Sequence, residues 1–137
     1  MLLEVIAAVA VVALGLTAFA SGIPVAAMAV SEGARLSTAT FLAAERMEEV
    51  RGVEWRARSA LQSLSLTFPD ESALPSPYAA YSRQVRVIDC GVPPGCGAVT
   101  STLLRQVTVT VAYRPVTTSG VGASDKAVSL TTLITER

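Results

Sequence analysis

Hydrophobic and polar positions are spread so unevenly along this chain that its N-terminal quarter and the remainder call for different surroundings. From residue 5 to residue 30 no side chain is charged, and Glu4 is the only ionisable side chain before Glu32. As a helix, that run rises about 39 Å at 1.5 Å per residue, more than the roughly 30 Å of a bilayer hydrocarbon core. It is therefore suited to lipid or to packing among helices. A cleavable secretory signal fits poorly, because such signals open on a basic region and hold a shorter apolar core. This chain opens with Met1, Leu2, Leu3 and Glu4. Gly15, the pair Ser21 and Gly22, and Pro24 interrupt the run, glycine through backbone entropy and proline by removing an amide donor. They predict a kink or loosening around residues 15–24, and flexibility at Gly15, Gly22 and Pro24 suits a subunit that bends while it packs against neighbours.

Beyond Val30 the pattern turns amphipathic. Leu36, Ala39, Ala43, Met47 and Val50 recur at three- and four-residue spacing and predict one apolar helix face. Arg35, Glu45, Arg46, Glu48, Glu49 and Arg51 mostly take the other positions. The pattern predicts one helix over residues 2–51, ending near Gly52 ahead of Trp55. Pro69, Pro75 and Pro77 mark residues 56–80 as a connecting loop, with a short helical turn at 58–64. Three strands follow. Residues 81–88 set Val85 and Val87 against Gln84 and Arg86. Residues 103–113 set Val107, Val109, Val111 and Tyr113 against Thr108 and Thr110. In residues 128–135, Val128 and Leu130 point inward. The connections 89–101 and 115–126, the second holding Gly120 and Gly122, allow an antiparallel meander.

An apolar sheet face needs a cover, and the amphipathic half of the helix is the only large candidate. The predicted fold class is α+β, a long N-terminal α-helix packed on a three-stranded antiparallel β-sheet. Residues 1–30 form the hydrophobic helix. Residues 31–137 form a head made of the amphipathic half 31–51, the loop 52–80 and the sheet 81–137. No internal repeat is present.

The length of 137 residues allows one compact domain and one extended element. Eleven basic and eleven acidic residues cancel and are scattered in mixed groups, so no nucleic-acid binding is expected. The absence of histidine removes the usual proton carrier and the commonest metal ligand. No nucleophile, base and orienting group come together in the sequence, so neither catalysis nor a cofactor is expected. Cys90 and Cys96 bracket a segment rich in turn formers, which predicts a disulfide and an oxidising compartment; a zinc site would need further thiolate or imidazole ligands that the chain lacks. Trp55 reads as an anchor closing the helix end against the sheet, or as a ring at the outer surface of an assembly. The hydroxyl-rich stretch 116–124 reads as a solvated loop.

Glu4 is the most unusual feature. An acid at a helix N-terminus gains about 0.3 to 1 kcal/mol from the macrodipole, but an ionised carboxylate near a bilayer interior costs about 2.5 to 3.5 kcal/mol. Within one chain the only nearby positive group is the terminal amine, which a helix does not readily fold back onto Glu4. A neighbouring subunit's amine would pair with it and set the stagger between helices, making Met1, Leu2, Leu3, Glu4 and Val5 the assembly residues.

In the run Leu2, Leu3, Glu4, Val5, Ile6, Ala7 the sequence resembles the type IV pilin and pseudopilin superfamily, whose mature chains begin with a short apolar run, a glutamate and a long hydrophobic helix. The resemblance is specific over residues 1 to about 50 and looser beyond. It implies a structural subunit of an extracellular type IV pilus or pseudopilus, with copies of itself or other pilins as partners. It further implies leader cleavage by prepilin peptidase, N-methylation of the new terminus, and extraction by a cytoplasmic ATPase and a platform protein. The subunit would reside in the inner membrane before assembly, then in a cell-surface filament or periplasmic pseudopilus. Family members usually carry four residues before the glutamate, and here three precede Glu4. The cysteine pair closes one inter-strand loop, whereas in many major pilins it fastens the C-terminal segment. Major and minor subunit both stay open. The alternative is a signal-anchored surface-binding module that never polymerises.

Overall fold

One α-helix, α1 (Leu2–Gly52), is followed by three strands, β1 (Tyr81–Asp89), β2 (Leu104–Tyr113) and β3 (Lys126–Thr135). The computed structural model describes residues 2–52, 68–93, 95–97, 99–116 and 124–135. Met1, Trp55, the turn expected at 58–64, and Gly120 and Gly122 lie outside the described residues. The chain forms two compact units, Met1–Ala34 and Arg35–Arg137.

In the first unit the helix is unbroken through Gly15, Gly22 and Pro24. The hydroxyls of Thr17, Ser21 and Ser31 donate back to the carbonyls of Leu14, Ala18 and Met28 at 2.9 to 3.0 Å. Such back-bonding hides a polar group on the helix itself, which lets three hydroxyls sit in an otherwise apolar rod.

In the second unit the remaining turns of α1 pack on the sheet through Ala39, Leu42, Ala43, Met47 and Val50. Ala39 and Ala43 are fully buried in this layer, and Leu42, Met47 and Val50 fill it beside them. One expected member of this face is corrected. Leu36 is 48% exposed, because its turn precedes the first buried position, Ala39, and Leu42 fills the face beside Ala43.

The sheet is an antiparallel meander in the order β1, β2, β3. Registry stacks the inward residues in rows across it, Val85, Val109 and Leu130 in one, Val87, Val107 and Thr132 in the next. Val107, Val109 and Val111 are fully buried, as expected for a central strand that meets a helix. Burying one such side chain contributes about 1.5 to 3 kcal/mol. On the outer face Thr108 pairs with Thr131 and Thr110 with Ser129 through hydroxyls 3.1 and 3.0 Å apart.

The strand bounds differ a little from expectation. β3 starts at Lys126, two residues early, because Lys126 and Ala127 pair with Tyr113 and Ala112 despite lacking a β-forming pattern. Residues within the expected loop also join the sheet. Glu71 exchanges two backbone hydrogen bonds with Arg83 on the open edge of β1, at 2.9 and 2.8 Å, and the Leu74 amide donates to the Tyr81 carbonyl. Phe68 and Leu74 are buried beside it.

Candidate assembly site

Of the expected assembly residues, Leu2, Leu3, Glu4 and Val5 lie at the start of α1. Leu2, Leu3 and Val5 are exposed, and Glu4 stands among them as the acid of the first turn. Val9, Val12, Leu16, Phe19, Ile23 and Val30 continue this surface, all more than half exposed. The segment is long and apolar enough to cross a membrane, and no part of its most apolar window is buried within the chain. Monomeric soluble proteins rarely expose contiguous apolar patches beyond a few hundred Å², so the first unit demands a cover of lipid or protein. At Gly15 and Gly22 an added Cβ meets nothing within 4 Å. Each of these glycines costs the helix about 1 kcal/mol relative to alanine, and the chain's own packing gives no return for it.

Comparison of the chain with protein-family models, with curated proteins and with solved structures yields no match. The candidate site therefore rests on residues and geometry.

The cysteine pair forms as expected. Cys90 and Cys96 are joined across a six-residue separation, with Cα atoms 4.7 Å apart, in the connection between β1 and β2. Gly95 and Gly97 take φ of +70° and +67° there, a region that L side chains avoid. Closing so short a loop restricts the unfolded chain and contributes about 2 kcal/mol on the chain-entropy account. The double change Cys90→Ser with Cys96→Ser is expected to lower stability by about that amount, read from the urea midpoint of the full chain in detergent. Gly91 tolerates even less. A Cβ there would lie 2.5 Å from Thr102 Cγ2 and 2.6 Å from its Cα, so Gly91→Ala is expected to cost about 2 kcal/mol as overpacking, read as a lower thermal midpoint.

A half-buried ionic cluster was not anticipated from sequence. Arg83 lies on the inward face of β1, only 7% exposed. Its Nε donates to Glu71 Oε2 at 2.7 Å, and Arg46 Nη2 from α1 reaches the same oxygen at 2.8 Å. The Arg46 guanidinium also sits 5.1 Å from the Phe68 ring centroid, and its Nη1 bonds Glu49 at 2.6 Å. One carboxylate thus ties helix, strand and the 68–74 segment together. The hydrogen bond from Arg83 holds the Glu71 carboxyl below the usual range against the opposing effect of burial, with Arg46 adding to the lowering. Asp70 is lowered likewise by its hydrogen bond from Arg86. Sequence carried one signal of this, an arginine at position 83 in phase with Val85 and Val87.

Among the described residues no three His, Cys, Asp or Glu side chains come together to hold a metal ion.

Proposed function

We propose that this chain is a structural subunit of a type IV filament, a pilin or pseudopilin, assembling through the apolar half of its N-terminal helix with Glu4 setting the register. The supporting observation is a lone carboxylate in the first helical turn, followed by 26 uncharged residues (5–30) that the chain leaves uncovered. In a bilayer that acid lacks a counter-charge. In a bundle of staggered copies it finds the amine of the next subunit, and apolar contacts with lipid are exchanged for contacts with protein. The second unit then forms the filament surface, and its disulfide suits an oxidising exterior.

Shearing the source cells and quantifying the chain in the filament fraction tests this reading. A major subunit dominates that fraction, and a minor one is present in trace. Complete absence from filaments, with the chain retained in the membrane, would falsify it in favour of a signal-anchored surface module.

A further inference from the structure

At one end of the sheet the registry gathers the basic side chains of three separate elements. Arg35 of α1 donates through Nη1 to the carbonyl of Arg114, just past β2. Lys126, the first residue of β3, pairs with Tyr113. The same end carries all three tyrosines of the chain. Tyr81 packs between Tyr78 and Tyr113, at centroid distances of 6.3 and 5.9 Å, and its hydroxyl lies 3.5 Å from the Arg35 carbonyl. Tyr81, Tyr113, Ala79 and Ala80 help line an open groove of about 350 Å³, with Arg114 and Asp125 on its wall.

We propose that this end of the head docks on an anionic phospholipid surface, with Arg35, Arg114 and Lys126 meeting lipid phosphates. The inference rests on the reading of residues 5–30 as a membrane segment. Chain connectivity supports the placement whatever the angle between the units: Arg35 follows Val30 by five residues, which span at most about 18 Å even when extended. Its end of the sheet is therefore tethered near the headgroup layer. Charge supports the partner. The Arg114 side chain is 79% exposed, and its ion pair with Asp125 is long at 3.8 Å. Counting Asp125, and Glu32 three residues before Arg35, the sum stays positive. Basic side chains close to an anionic leaflet are each attracted by it, and salt screens the attraction. Such docking holds the head against the bilayer until extraction.

Lys126 is the only lysine, which gives a direct readout. The full chain is placed in nanodiscs of neutral phosphatidylcholine, or of the same lipid with a third phosphatidylglycerol. Lys126 acylation by an uncharged water-soluble reagent is then followed by peptide mass spectrometry. The expected result is a rate about fivefold lower in the anionic discs, restored by high salt and largely lost in Arg114→Gln. A second lysine introduced by Val92→Lys, in the cysteine loop at the other end of the sheet, should react equally in both. Equal rates at Lys126, with residues 5–30 protected from proteolysis, overturn the docking alone. Slowing reproduced by glycerol phosphate added to neutral discs overturns it in favour of a free-phosphate site. Residues 5–30 left unprotected in either disc sink both the docking and the membrane reading beneath it.

Discussion

Glu4→Ala is expected to leave the chain inserted in the membrane and to lower the filament fraction by about a hundredfold. The number follows from the cost of an unpartnered carboxylate near a bilayer interior, about 2.5 to 3.5 kcal/mol, since 1.4 kcal/mol is a factor of ten in an equilibrium. In the wild-type subunit that cost raises the free energy of the membrane-embedded state. On the proposed reading, pairing with a neighbour's amine removes it, so assembly would be favoured by the difference. Alanine stabilises the membrane state and contributes nothing in the filament. Both terms therefore act in one direction. Immunoblots of sheared and membrane fractions measure the ratio. Glu4→Gln separates charge from shape, because it keeps the size and hydrogen-bonding capacity while losing the ion pair, and it should behave as alanine does. A filament fraction unchanged in both variants removes Glu4 from any role in assembly.

The second large effect concerns the head. Glu71→Ala removes the carboxylate that receives both Arg83 and Arg46 and leaves Arg83, 7% exposed, with a Glu45 oxygen at 3.9 Å and the Leu42 carbonyl at 3.5 Å. Stranding a buried charge costs about 3 to 5 kcal/mol. For a unit of roughly a hundred residues, each kcal/mol shifts the midpoint by about 4 to 8 °C, so a fall of at least about 12 °C is expected in a thermal scan. The intact protein should show the matching pH dependence. Because the hydrogen bond from Arg83 holds the folded Glu71 carboxyl below its ordinary value, its contribution is fully present above the unfolded value. It fades as pH falls through the lowered folded value. Urea midpoints measured from pH 6 down to pH 3 should therefore drop more steeply in the wild type than in Glu71→Ala. Parallel curves would show that the cluster does not govern acid stability.

The parts of this fold legible in the sequence are those where one physical rule dominates. An uncharged run of that length allows little but a helix, and α1 spans Leu2–Gly52. The alternation from Val107 to Tyr113 reads as a strand packed on one face, and every second residue of β2 is buried as that requires. The cysteine pair was legible because the five residues between them, two glycines and two prolines among them, are turn formers.

What escaped reading depends on contacts distant in sequence. Arg83 and Arg105 occupy inward positions of β1 and β2, where a binary pattern expects apolar residues. Arg83 is tolerated because Glu71 and Arg46 arrive from elsewhere in the chain. Glu71 itself sits in a proline-rich stretch with no strand signature, and its pairing with the edge of β1 comes from the sheet's open hydrogen-bonding groups. Leu36 stays exposed because helical spacing gives the angle of a face but not where along the helix the sheet begins. For the proposed assembly site, the sequence places an acid ahead of an uncharged run and the structure places that acid in the first turn of α1, whereas a counter-charge on another copy would leave no trace within one chain.

The account's central claim is an ion pair between two copies. Filaments grown from a mixture of isotopically light and heavy subunits, treated with a zero-length carbodiimide and digested, test it most directly. The account predicts a peptide joining the Glu4 carboxyl of one copy to the amino terminus of the other, with light and heavy halves in the same molecule. Assembled filaments that yield only same-copy links, or none at Glu4, would contradict it.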